Sequence, residues 1–370
     1  MGEQENKAAE AEISEKMTDT FDSSETENVT ETENASETEN ATKAENATET
    51  VTVSEPLNGE EAANEGAVPG KKEMSPLMKK LAGGVITTWL MGYALMMLGS
   101  IVGAIIIQVP LQALGLLTDE HPVIITAVTY LEFIGIWGAL IVFIIGFKGE
   151  MPFLRRIIGK VSVKAVIGWI LGLVLVGGLN MLCIFFAKNN GDIYLSFGSF
   201  EIIPLVFLFI CVFIQSGAEE LICRGFIYRR IENTYNPVMA MIFNSMLFAI
   251  IHLMNPGVTP LSILNVFIVG VLFSLVVYYT DSMAFAMAGH AGWNFSQSII
   301  FGLPNSGQVF PYSLYKLDAS TARDSFFYNV GFGVEGTAFS LIVLVAACVI
   351  VIVLGQLKIL KKPEVIKPLI

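Results

Sequence analysis

The chain has 370 residues, 53% of them apolar and 15% charged, against roughly 45–50% and about 25% in soluble domains. Its formal charge of −12 is concentrated at one end: residues 1–70 hold 19 acidic and three basic residues, and the other 300 hold 15 acidic and 19 basic. A soluble globular enzyme and a basic nucleic-acid binder are excluded, as is a disulfide-stapled secreted domain, because Cys183, Cys211, Cys223 and Cys348 all lie in apolar runs.

Residues 1–75 are expected to form a disordered, acidic, low-complexity tail. Between Ser23 and Thr50 it repeats variants of Glu-Thr-Glu-Asn-Ala with almost no aromatic or branched aliphatic residues, too little apolar surface to offset the entropy of ordering. Asn28, Asn34, Asn40 and Asn46 each open an Asn-x-Ser/Thr sequon, a pattern that an Asn- and Thr-rich repeat generates from composition alone. No apolar stretch of signal-peptide type precedes residue 80.

Residues 76–370 read as a membrane-embedded, all-α domain. About 20 apolar residues span a bilayer as a helix, and eight such runs are predicted at roughly 81–108, 122–147, 164–187, 202–227, 236–254, 260–280, 282–302 and 337–359. The basic residues fall at alternate connections: Lys71, Lys72, Lys79 and Lys80; then Lys148, Arg155, Arg156, Lys160 and Lys164; then Arg229 and Arg230; then Lys358, Lys361, Lys362 and Lys367. With eight spans these clusters share one side, so a multi-pass cell-membrane protein with both termini in the cytoplasm is expected, and the sequons would then stay unglycosylated.

Ionisable groups inside a membrane are costly and point to function. Here they are Glu132, Glu219, Glu220, Arg224, His252 and His290, most of them in the fourth, fifth and seventh runs. Glu220 and Arg224 stand four apart, a natural ion pair on one helix face. Glu219 points about 100° away with no basic partner in its own helix, and it lies eleven residues before Arg230, roughly 16 Å deep. His252 closes Phe248-Ala249-Ile250-Ile251-His252, where a lone histidine commonly does no more than pack. His290 and Asn294 again stand four apart, suited to acting on one small group. Counted from the cytoplasmic ends, His290 and Asn294 reach a depth near that of Glu219, whereas His252 comes roughly 24 Å deep. Glu132 has no evident partner, Trp293 reads as packing, and Asp281 reads as the N-cap of the seventh helix.

Glu-Glu-x-x-x-Arg at 219–224, Phe-x-x-x-His at 248–252 and His-x-x-x-Asn at 290–294, in this order on successive membrane helices, resemble the CAAX protease and bacteriocin-processing family of intramembrane endopeptidases. The similarity covers about 200–300; the acidic tail and the 303–336 loop have no counterpart in it. The resemblance implies that Glu219 is the catalytic glutamate, that His252 shares the nucleophilic water with it, that His290 and Asn294 hold the oxyanion, and that Glu220 and Arg224 form a structural brace. The implied substrate is a membrane-anchored or lipidated protein or peptide in the bilayer, with no nucleic-acid partner. No cofactor is expected. Glu219, His252 and His290 could instead hold Zn²⁺, but no His-Glu-x-x-His helix occurs and a metal would compete with Glu219 as base. A transporter would show polar groups in corresponding halves, which this chain lacks, and a non-catalytic immunity or scaffold protein is expected to have lost one of the chemical residues.

Overall fold

The computed structural model describes residues 84–147 and 162–360. The acidic tail, its sequons and most of the basic residues used for orientation lie outside the described residues.

The first run is α1 (Val85–Ala113). The second is broken at Glu132 and Phe133 into α2 (Pro122–Leu131) and α3 (Ile134–Gly146), which together are long enough to cross a membrane. The third is α4 (Val163–Asn189), opened by Ser162, whose side chain accepts from the Ala165 amide. A strand, β1 (Leu195–Phe197), follows. The fourth run is a compound helix: α5 (Ile202–Glu220), a π-helical segment (Leu221–Tyr228) and α6 (Arg229–Thr234). After it come α7 (Pro237–Ile251), α8 (Pro260–Thr280) and α9 (Ala284–Asn294), the last continued by a second π-helical segment, Phe295–Ile300. Strand β2 (Tyr315–Leu317), a 3₁₀ turn (Val334–Gly336) and α10 (Ala338–Gln356) complete the order.

Helix ends leave backbone donors that a membrane cannot satisfy, so capping matters here. Asn236 accepts from the Met239 amide with Pro237 in the first turn, Thr259 and Ser262 form a reciprocal capping box ahead of α8, and Thr337 accepts from the Ser340 amide. Asp281 does not cap α9. It closes α8 in the left-handed region (φ 52°) and pairs with Arg229 at 2.6 Å, because the chain reverses at once and the cap position falls on Met283.

Among the described residues, six helices are long and apolar enough to cross a membrane: Val85–Ala113, Pro122–Gly146, Val163–Asn189, Ile202–Thr234, Pro260–Thr280 and Ala338–Gln356. The predicted fifth and seventh runs form helices but fall short. α7 has 15 residues and α9 has 11 before its winding changes, so α7 is only about 22 Å long at 1.5 Å per residue.

The loops assemble at two ends. β1 pairs antiparallel with β2, Ser196 facing Lys316, and buried Asp192 accepts from Ser325 and Arg323, which joins the 190–197 and 315–325 segments. The turn after α7 meets the same assembly through Asn255, whose Nδ2 donates to the Ser306 carbonyl. The Arg229–Asp281 pair holds together the opposite ends of α6 and α8. In the interior α4 lies along α9. A Cβ on Gly292 would come within 2.7 Å of the Leu173 carbonyl oxygen, so the small residue is what allows this approach, as is common between membrane helices. All four cysteines are buried and free.

Candidate active site

Glu219 and Glu220 end α5 just where the winding widens. The π segment begins at Leu221 and a second one begins directly after Asn294; such segments occur frequently at functional sites. Both carboxylates are buried. Glu220 Oε1 accepts from Arg224 Nη1 at 2.8 Å, and both side chains are 0% exposed. The same oxygen lies 3.0 Å from His290 Nδ1. With the carboxylate already held by a guanidinium, Nδ1 carries the proton and donates, and Nε2 faces the other way. There it stands 3.8 Å from Glu219 Oε2. Glu220 is therefore more than a brace for Arg224: it orients the imidazole.

Glu219 has a different environment, as its position on the helix predicts. Oε1 accepts from Gln215 Nε2 at 2.5 Å, while Oε2 has no hydrogen-bond partner among the described residues. Gln215 sits one turn earlier on the same face of α5 and links Glu219 to Asn294, whose Nδ2 donates to Gln215 Oε1 at 3.1 Å and to Ser216 Oγ at 3.2 Å. An amide in an apolar helix four residues before a glutamate was the signal for this role.

The Phe-x-x-x-His motif gains a physical reason. The Arg224 guanidinium carbon lies 4.5 Å from the centre of the Phe248 ring and 5.6 Å from that of Phe273, which offers the buried cation two aromatic faces. The opposite neighbours of Phe248 are the rings of His252, at 4.8 Å, and His290, at 6.0 Å. His252 is the C-cap of α7, and its Nδ1 lies 2.7 Å from the Phe248 carbonyl oxygen. One ring thus carries contacts to all three motifs.

His252, His290 and Asn294 line a common cavity with about 40 Å³ of water-accessible space, room for roughly three water molecules. Its wall is mainly apolar, including Val176, Val266, Leu272 and Phe273. Glu219 is not part of the lining; its link to the cavity is through His290, whose Nε2 stands 3.8 Å from Glu219 Oε2. The depth mismatch expected for His252 does not keep it from this group. Glu132 lies away at the α2–α3 break. Among the described residues, no three His, Cys, Asp or Glu side chains are grouped as a metal's ligand set.

Three further polar residues line the cavity, Asn265, Ser306 and Glu335. Glu335 Oε2 accepts from Trp293 Nε1 at 2.9 Å, so Trp293 does more than pack; Oε1 accepts from the Ser306 amide and hydroxyl. Burial pushes the Glu335 carboxyl above the usual carboxylate range, against the opposing effect of the Ser306 and Trp293 donors. Glu335 has no local pattern that reveals it, since its partners lie 29 and 42 residues earlier.

Residues 201–296 match the family model described as type II CAAX prenyl endopeptidase Rce1-like, the same kind of protease that the three motifs resemble. The match begins one residue before α5 and ends inside the second π segment, and so contains all seven motif residues. No curated protein and no solved structure matches the chain.

Proposed function

We propose that the chain is an intramembrane endopeptidase that hydrolyses a peptide bond of a membrane-associated protein or peptide, in the manner of a CAAX prenyl protease. The observation that carries this reading is the pair formed by a Glu219 oxygen without a hydrogen-bond partner among the described residues and His290 Nε2, the latter lining a small cavity together with His252 and Asn294. The apolar wall suits a lipidated or apolar substrate segment.

In the proposed reaction Glu219 takes a proton from water as oxygen attacks the scissile carbonyl carbon, with His252 holding the same water. The carbonyl π electrons move to oxygen. His290 and Asn294 donate to that oxyanion, a contribution of about 3–4 kcal/mol for a well-placed donor. His290 can do so through Nε2 when it is imidazolium. Asn294 does so by releasing Ser216 or Gln215. Collapse of the intermediate breaks the C–N bond, and Glu219 returns its proton to the leaving nitrogen, giving a carboxylic acid and an amine.

A metal-free mechanism fits these partners. A metal bound to Glu219 would compete with its role as base, which favours this reading over a Zn²⁺ site on Glu219, His252 and His290. The match to a peptidase family favours this function over transport or a non-catalytic immunity role. An even number of traversals is supported by the loop contacts, since the turn after α7 sits with the 306 segment and the Arg229–Asp281 pair lies at the other end; the cytoplasmic side of the termini rests on the distribution of basic residues. The test is Glu219→Gln in purified protein, assayed on a membrane-anchored peptide. Cleavage should fall by about 10²–10⁴-fold, the worth of a general base, with thermal stability near that of the wild type. Undiminished cleavage would sink the mechanism.

A further inference from the structure

Glu335 stands outside the three motifs, on the 3₁₀ turn that leads into α10, yet its carboxylate is 8% exposed and borders the catalytic cavity. Its two oxygens bond to two different parts of the wall. One holds the indole of Trp293, which lies three residues after His290 and one before Asn294. The other holds Ser306, the residue whose carbonyl also receives Asn255 at the end of α7. The turn carrying Glu335 cannot drift easily: Gly333 has φ 98°, and a Cβ there would come within 2.1 Å of the Pro304 carbonyl oxygen and 2.5 Å of Gln297 Nε2. Gln297, in turn, belongs to the π segment that continues α9, and it donates to that same carbonyl. The polar atoms of Glu335 are thus spent on aligning protein, with three donors directed at one carboxylate.

We propose that Glu335 is a positioning residue for the site: by joining the Trp293 indole to the Ser306 turn, it fixes the turn of α9 that presents His290 and Asn294. Only the kinetic part of its test rests on the endopeptidase reading.

The experiment uses the full chain in lipid nanodiscs, with ¹⁵N-labelled tryptophan and histidine, and compares wild type, Glu335→Gln, Trp293→Phe and the double variant. Glutamine keeps the shape but cannot accept from all three donors. Glu335→Gln should move the Trp293 indole N–H and His290 ring resonances and lower kcat by about tenfold, the scale of one hydrogen bond to a charged group, with KM within about twofold. Trp293→Phe should lower kcat similarly, and the double variant should be no worse than either single one. Losses that multiply in the double variant, a change confined to KM, or unmoved resonances with unchanged kcat would each overturn the proposal. Should Glu335→Gln fail to fold, Trp293→Phe decides alone: reduced kcat at wild-type thermal stability supports positioning, and unchanged kcat refutes it. Should the wild type cleave no peptide, the endopeptidase reading falls, and the His290 and Trp293 resonances still decide whether Glu335 sets that turn.

Discussion

Replacing Glu220 with glutamine removes one charge from a place where two other groups depend on it. Arg224 is fully buried, and its Nη1 bond to Glu220 is its only hydrogen bond to a side chain among the described residues. Stranding one member of a buried pair costs about 3–5 kcal/mol. The Phe248 and Phe273 faces remain, so the lower end, about 3 kcal/mol, is the appropriate figure. At about 2–4 °C per kcal/mol for a domain of this size, the melting temperature should drop by roughly 6–12 °C. Exchanging both residues, as Glu220→Leu with Arg224→Met, should restore much of that stability because no buried charge is left alone. It should not restore cleavage, because His290 Nδ1 has lost its acceptor. Thermal melts and cleavage assays on the three proteins separate the two roles. A Glu220→Gln variant as stable as the wild type would refute the buried-pair reasoning, and an active Leu–Met double variant would refute the orientation of His290 by Glu220.

Chelators should leave cleavage unchanged; a loss reversed by added Zn²⁺ would restore the ligand reading of Glu219, His252 and His290. Reporter fusions after Gly70 and after Ile370 should both report the cytoplasm, and opposite sides would mean an odd number of crossings. The pH dependence of Glu335 has a definite sign. Its carboxyl is raised above the ordinary value of 4.5, so its contribution to stability is present below about 4.5 and is lost as pH rises through the folded-state value. The melting-temperature difference between wild type and Glu335→Gln should therefore shrink as pH rises from about 4.5, and a difference that grows would refute the assignment.

The i,i+4 pairs were visible in the sequence because helical geometry alone places Glu220 beside Arg224, and a lone carboxylate at 219 follows from the same geometry. Gln215, four residues before Glu219, stands on the same helix face by the same geometry, yet its apolar neighbours give it no motif. Glu335 and Ser306 were not visible at all, because their partners come together only through the return of the chain across the bundle end. Asp281 looked like a helix N-cap by residue type, and only its left-handed backbone shows that it ends the preceding helix. Hydropathy located all eight apolar runs but not their lengths. The breaks at Glu132 and after Ile251 fall inside apolar runs that hydropathy reads as continuous, and the π segments after Glu220 and Asn294 are wound in a way that no periodicity of 3.6 describes.

The acidic character of the site bears on what happens after bond cleavage. A peptide bond is neutral, but on the proposed reaction its hydrolysis leaves a new carboxylate near Glu219 and Glu220, with Glu335 also lining the cavity and Arg224 already engaged. Like charges in a poorly screened interior repel strongly, so the acyl product is pushed outward as soon as it ionises. Product inhibition by the newly formed C-terminus should be weak, and resynthesis of the bond should be disfavoured by the same field that leaves the uncharged substrate alone.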